Sequence, residues 1–492
     1  MGSLKVAVIG GGVAGIISSR ELHREGHRVT IFEKSNKLGG LWVYDPRVES
    51  DPLTHKMVHS SVYFSLRTNL PRVLMSFSDF SFEDRHYGDP RTFPGHQEVR
   101  AFLNDFTTQF GIVDLVQFNS EVIRVERVEG KYNQWMVEWR RTAHDEETGP
   151  FLEKDIFDAV VVCNGHGTVP RIAIVPGIEK WPGKQIHSHN YRVPDPFKNQ
   201  VVVVIGNGAS AFDISRDISK VAKEVHLSCR SPPNLKFSKL NHCHNNLWQH
   251  SAIRMAKEDG IIDFEDGSSI EANVLIHCTG YKFYFPFLNT NGIVRVDDNR
   301  VGPLYKHVFP PELAPWLSFV GIPLKIISFE MLELQSKWIA KVLSRKAGLP
   351  SKEEMMRDVQ EYYQQMTVLR LPKHLTHYSH NFEEYMDWLA VKAGTSSMDW
   401  RKELFKECVK CVQRNEDQFR DDPMFLIRGM WYDTGSNRVL NGMGSKHDRL
   451  YYLRNISSSI QNVTIARESP CLFLSQSYCV QARLQIYHTS LF

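Results

Sequence analysis

The chain has 492 residues, more than one simple core sustains, so at least two domains are expected. Apolar residues make up 42% and charged residues 23%, a globular balance that excludes disordered and fibrous classes. Lys and Arg number 59 against 56 Asp and Glu, a net charge of +3, and without a basic stripe no nucleic-acid partner is expected. No apolar run approaches the roughly eighteen residues of a transmembrane helix. The opening MGSLKVAVIGGG enters a strand directly, so no targeting peptide is expected. Eight scattered cysteines fit a reducing compartment, and a cytoplasmic location is the expectation.

Residues Leu4 to Glu25, LKVAVIGGGVAGIISSRELHRE, predict a strand, a glycine turn and a helix. Gly10, Gly12 and Gly15 carry G-x-G-x-x-G spacing. The first glycine allows the tight turn, the second lets a pyrophosphate approach the backbone, and the third lets the helix pack on the sheet. Unpaired N–H groups and the positive end of the helix dipole then face the phosphates. Glu33 ends the next apolar run, HRVTIFE, eighteen residues after Gly15, where a carboxylate can accept from a ribose 2′-OH. A plain strand-to-helix turn is the alternative, but strand, helix and acid agree on a dinucleotide-binding βαβ unit. Lys37-Leu38-Gly39-Gly40-Leu41-Trp42 follows; its glycines permit close backbone approach, although alone it reads as a turn.

Residues 60–82 are rich in aromatics and interrupted by Asn69-Leu70-Pro71, which alone predicts a buried aromatic helix or loop. Residues 121–141 predict a hairpin with Glu129-Gly130 near its turn. Phe157 to Gly165 is a continuous apolar strand ending in glycine, suited to a parallel sheet buried on both faces. A second unit opens at Gln200 to Gly206 and continues as Asn207-Gly208-Ala209-Ser210-Ala211. This is G-x-G-x-x-A, with alanine at the packing position. Its next strand, EVHLSCRS, ends in Ser228, Arg230 and Ser231 where the first unit has an acid. A cation and hydroxyls suit a 2′-phosphate, favouring NADPH over NADH; a solvated surface arginine is the alternative. Asn273 to Tyr281 repeats the strand-to-glycine ending through Gly280. The two endings bracket the second unit, so one nucleotide domain is expected inside another. Residues 1–168 and 283–427 would form the outer domain, 169–282 the inserted one, and 428–492 a tail.

The ordered motifs resemble those of flavin-containing monooxygenases, most closely the plant S-oxygenating type that acts on methylthioalkyl glucosinolates. The family's F-x-G-x-x-x-H-x-x-x-Y stands as Trp181-Pro182-Gly183-Lys184-Gln185-Ile186-His187-Ser188-His189-Asn190-Tyr191, with Trp for Phe. Tyr63, Leu66, Thr68-Asn69-Leu70-Pro71 and Met75-Ser76-Phe77 match the segment that carries the family's active-site asparagine, here Asn69. Cys278-Thr279-Gly280-Tyr281 matches its (A/C)TGY strand end. The match covers residues 4–427, and the tail after Arg428 departs from the family's usual acidic ending.

The resemblance implies an α/β fold of glutathione-reductase-like architecture, with two Rossmann-like dinucleotide-binding domains, the NADPH domain inserted in the FAD domain. FAD would be held by Gly10, Gly12, Gly15, Glu33, Gly40, Leu41, Trp42 and Thr68. NADPH would be held by Gly206, Gly208, Ser210, Arg230 and Gly280, and Asn69 would be catalytic. NADPH would reduce FAD, O2 would add at the flavin C4a, and the distal oxygen would pass to a soft nucleophile such as a thioether sulfur, with the cofactor supplying the chemistry. The partners are then O2 and a small thioether; no metal and no particular oligomer is implied. His187 is expected as a structural hinge residue ahead of a proton carrier. Three rivals stand beside this reading. A disulfide reductase needs a redox Cys pair, and Cys408 to Cys411 lies in a polar helical stretch late in the chain. An N-hydroxylating or auxin-forming flavin monooxygenase shares most motifs. An altered C-terminus could leave an NADPH oxidase.

Overall fold

The computed structural model describes residues 2–422 except 55–57, 132, 142–150, 231–236, 241–244, 380, 415 and 417, together with residues 464–465 and 474–475. The rest of the expected tail lies outside the described residues. By packing, the chain divides into residues 1–397 with 408–417 and residues 398–407 with 418–492. The second unit holds the short turn Phe419–Asp421 and the antiparallel pair Thr464–Ile465 and Leu474–Ser475. The elements that follow belong to the first unit. Among the described residues, no helix is long and apolar enough to cross a membrane.

Two parallel sheets carry the architecture. The first runs in the order Leu317–Phe319, Ala159–Val162, Lys5–Ile9, Arg28–Phe32, Val116–Gln117, all parallel. Val6, Ala7, Val8, Val160 and Val161 have no exposed surface, as expected of apolar strands covered on both faces. The helix Val13–Arg24 follows the first strand and packs against the helix Ser328–Leu343. The second sheet runs Ser238–Lys239, Leu247–His250, Glu224–Ser228, Val201–Ile205, Val274–His277, Lys184–His187, parallel except for its outermost pair. Its strands all lie between residues 184 and 277, in the chain interval that separates Val162 from Leu317 of the first sheet.

Alternation along the strands partitions the core. Val202 and Val204 pack with Ile214, Ile218 and Tyr191 on one face of the second sheet, while Val203 packs with Trp181, Ile262 and Phe264 on the other, as a two-residue period requires. The expected hairpin forms from Ser120–Arg127 and Trp135–Arg141, with Gly130 at φ 72° between them. It grows into a four-stranded sheet through Phe151–Phe157 and Leu288–Asn289, whose Trp135, Trp139 and Phe157 share a core with Phe32 of the first sheet. Residues 60–82 are largely irregular, with one 3-10 turn at Arg72–Met75.

Candidate active site

The same local geometry occurs twice. Strand Lys5–Ile9 lies between Arg28–Phe32 and Ala159–Val162, and Val201–Ile205 lies between Glu224–Ser228 and Val274–His277. Each is therefore a topological switch point, where a parallel sheet leaves a crevice beyond its strand ends. Gly10 N donates to Phe32 O, and Gly206 N donates to Ser228 O, both at 2.9 Å. Cys163 N donates to Ile9 O, and Cys278 N to Ile205 O, again both at 2.9 Å. Gly10 and Gly206 take φ of 107° and 137°, and a Cβ on either would collide with the carbonyl of Cys163 or Cys278. Only glycine satisfies both the turn and the contact.

The second glycines differ. A Cβ on Gly12 would meet nothing nearer than Gly40 Cα at 3.6 Å, and one on Gly208 would meet nothing within 4 Å. Both have negative φ, −78° and −99°. The polypeptide gives no reason for glycine at either position, and the N-terminal turns of helices Val13–Arg24 and Ala209–Ser219 start there. An open concavity at a helix N-terminus suits a pyrophosphate. Gly15 is a packing glycine, since a Cβ there would overlap Gly10 O; the buried Ala211 takes the corresponding place.

Glu33 is buried, and its carboxylate accepts from Gly11 N and Ser35 N, both at 2.8 Å. Two backbone donors leave lone pairs for a ribose hydroxyl. Gly39 N donates to Gly11 O at 2.9 Å, and Gly40 lies so close to Gly12 that a Cβ on Gly40 would come within 2.8 Å of Gly12 Cα. The turn Gly40–Trp42 thus abuts the first glycine turn, with Leu41 40% exposed beside it. In the second unit, Ser210 is partly buried in the first turn of its helix and Arg230 is exposed at the end of the following strand. Ser228 is buried and its hydroxyl donates to Ser251 O at 2.8 Å; Ser231 lies outside the described residues.

The segment bearing Asn69 is tethered on both sides. Before it, Tyr63 OH donates to Asp213 at 2.8 Å and Ser65 Oγ donates to Asp217 at 2.6 Å, both acids on helix Ala209–Ser219. Tyr191 OH donates to the same oxygen of Asp217 at 2.7 Å. Burial raises the Asp217 pKa, but hydrogen bonds from Ser65, Tyr191 and Lys220 outweigh it and hold the carboxylate below its usual range. After it, the buried Arg72 donates to Arg91 O at 2.9 Å, Arg85 O at 3.1 Å and Glu98 at 3.0 Å. Ser78 binds Glu333 on helix Ser328–Leu343 through its backbone N–H at 2.8 Å and its hydroxyl at 2.5 Å. Asn69 itself is partly buried, next to the buried Thr68.

The run Trp181 to Tyr191 stitches the second sheet to residues 45–60. The Trp181 ring occupies the space a Cβ on Gly183 would take, and its Nε1 donates to Gly260 O at 3.1 Å; phenylalanine could not make that bond. His187 Nε2 donates to Gly280 O at 3.0 Å, while its Nδ1 accepts from His189 N at 3.0 Å. Burial first, then the neighbouring His277 and His189 rings, hold its pKa down to about 3. It is a neutral ring with both nitrogens engaged by backbone. Arg192, just beyond the run, donates to Asp45 O, His189 O, Tyr191 O and Ser60 O at 2.6–2.9 Å. Burial pushes the thiols of Cys163 and Cys278 up to about 12, so neither is a reactive thiolate.

Sequence reasoning missed Arg192, Asp213 and Asp217. Arg192 directly follows the family run, and that adjacency was the one signal available; the two acids are ordinary helix residues until the fold brings Tyr63 and Ser65 to them.

Two open glycine turns at helix N-termini, one on each of two parallel sheets with the second sheet inserted in the chain between strands of the first, and the Asn69 segment tied to helices beside both, form the arrangement of a protein that binds two dinucleotides. Comparison narrows the class. The family described as flavin-binding monooxygenase-like matches residues 3–237 and 245–401. Flavin-containing monooxygenase FMO GS-OX-like 3 of Arabidopsis thaliana is 52% identical over 85% of this chain and 93% of its own. FMO GS-OX5 of the same plant is 51% identical over 90% and 97%. The structure of S-allyl-L-cysteine S-oxygenase from Allium sativum superposes with a TM-score of 0.82 at 49% identity, covering 88% of this chain and 99% of that one. The chain belongs to the flavin-binding monooxygenase-like family. It is a monooxygenase that uses FAD and NADPH.

Proposed function

We propose that this enzyme transfers one oxygen atom from O2 to the sulfur of a small thioether, with methylthioalkyl glucosinolates as the first substrate class and S-alkyl cysteines as the second. The observation that carries the reading is the 49% identity, over 99% of its length, to a solved S-oxygenase whose substrate is itself a thioether. In this reading residues 1–168 with 283–427 bind FAD and residues 169–282 bind NADPH. Gly10, Gly12, Gly15, Glu33, Gly40, Leu41, Trp42 and Thr68 hold the flavin nucleotide. Gly206, Gly208, Ser210 and Gly280 hold NADPH, and Arg230 meets its 2′-phosphate by a charge-assisted hydrogen bond. Bound FAD, reduced by NADPH, supplies the activated oxygen. The chain supplies position and exclusion of water, and the Asn69 amide offers a donor and an acceptor without adding charge.

The test is turnover of purified protein with NADPH and air, screening intact and desulfo methylthioalkyl glucosinolates and S-alkyl cysteines by mass spectrometry. Sulfoxide is the expected product. Hydroxylamine from amine substrates would favour N-hydroxylation, and H2O2 alone would favour an NADPH oxidase. Asn69→Leu is expected to keep bound FAD and NADPH oxidation while diverting most of the flux to H2O2, because a preorganised polar contact in a dry site is removed. Sulfoxide formed per NADPH consumed decides this; a ratio equal to wild type would make Asn69 a packing residue.

A further inference from the structure

Two buried polar atoms beside the first cradle have no partner among the described residues: Nε2 of His96 and Oγ1 of Thr68. Both residues are 2% exposed, and leaving such atoms unmatched is unfavourable and rare. They sit on facing stretches of backbone. Thr68 N donates to Pro94 O at 2.9 Å, His96 N donates to Leu66 O at 3.2 Å, and Arg67 bridges Gly95 in the antiparallel sense. Successive side chains alternate faces in such a pairing, so Thr68 and His96 share one face and Arg67 and Gly95 take the other.

The chemistry of the pair is specific. Nε2 is the ring nitrogen buried without a partner, and in the neutral ring that carries its proton on Nδ1 it is a bare acceptor. Burial lowers the ring's pKa and keeps it neutral. Thr68 adds a hydroxyl that can donate. The place is also specific: the Tyr44 ring lies 5.5 Å from that of His96, and helix His96–Gln109 packs on the turn Gly40–Trp42 that abuts Gly12. Asn69 is the next residue.

A buried acceptor beside a hydroxyl donor complements a cyclic imide, in which an N–H is flanked by carbonyls. The isoalloxazine of FAD has one such edge, N3–H between two C=O groups. We propose that His96 Nε2 accepts from the flavin N3–H and Thr68 Oγ1 donates to an adjacent flavin carbonyl. This pair fixes the pyrimidine edge of the ring and leaves the neighbouring Asn69 to act at the reacting edge. Thr68 is expected at the flavin from the family resemblance, whereas His96 is assigned by the structure.

The full-length protein, stripped of FAD and reconstituted with either FAD or 3-methyl-FAD, which lacks the N3 proton, tests this by flavin fluorescence. Wild type is expected to bind 3-methyl-FAD about tenfold more weakly than FAD. His96→Leu is expected to bind FAD about tenfold more weakly and to lose the distinction between the two flavins, while Thr68→Val weakens both. Equal affinity of wild type for the two flavins would overturn the proposal without recourse to any variant. A His96→Leu protein that still prefers FAD to 3-methyl-FAD would overturn it too. Absence of sulfoxide in the turnover assay leaves this binding test unaffected, so the two readings fail separately.

Discussion

Gly12 and Gly208 are glycine for a reason that lies outside the polypeptide. Their φ angles suit any residue, and a methyl group at either would find only ordinary contact or open space. Substitution should therefore spare the fold and damage the ligand. Gly12→Val is expected to purify folded, with a melting temperature near that of wild-type apoprotein, but without the yellow flavin absorbance. Gly208→Val should keep its flavin and raise the KM for NADPH. Undiminished flavin in the first variant would refute the assignment of this turn to the pyrophosphate. These positions were legible because spacing within one strand, turn and helix is local. His96 and Arg192 were not, because what defines them is distant: Arg192 meets Asp45 O across 147 residues of sequence. His96 stands out only once its backbone is seen paired with residue 66 and one ring nitrogen is seen without a partner.

At the scale of elements, helix Ala209–Ser219 does two jobs. Its first turn begins at the open glycine Gly208, and its middle holds the Asn69 segment through Asp213 and Asp217. Hydrogen bonds to a carboxylate are each worth about 1.5–3 kcal/mol. Asp217→Ala removes the oxygen that accepts from both Ser65 and Tyr191 and leaves their hydroxyls without that acceptor. A loss of about 1.5–3 kcal/mol of stability is expected, with a larger share of NADPH oxidation ending as H2O2. Differential scanning calorimetry and peroxide assay measure the two effects, and an unchanged melting temperature would count against the tether. The strands were legible because continuous apolar runs admit few other fates. Residues 60–82 were not, since the same aromatic richness serves a helix or a loop. Here Arg72, Ser76 and Ser78 satisfy backbone and acidic groups that regular structure would otherwise pair, which stabilises an irregular path.

For the whole molecule, buried histidines set the response to acid. Burial first of all lowers the pKa of His187 to about 3 and of His250 and His277 to about 4, and none of the three has exposed surface. Their folded values lie below the unfolded value of about 6.5, so the unfolded chain binds more protons as pH falls. The stability they contribute is complete above about pH 6.5 and is lost progressively below it, at about 1.4 kcal/mol per pH unit for each ring. Melting temperature should be flat from about pH 8 to about pH 7 and fall steeply toward about pH 5. Equal melting temperatures at about pH 7.5 and about pH 5 would mean the rings are already charged in the folded protein.

The insertion of one sheet within another also bears on how the chain is made. Every strand of the second sheet has left the ribosome once residue 277 has emerged, whereas Ala159–Val162, apolar and almost wholly buried, waits for Leu317–Phe319 to cover its outer edge. Until then a bare apolar strand edge invites pairing with other nascent chains. The later-made module should therefore mature first, inverting the order of synthesis. In a nascent chain halted when about residue 300 has just emerged from the ribosome, residues 184–277 are expected to resist protease while residues 5–162 are cut; equal resistance in both would mean the first sheet closes without its last strand.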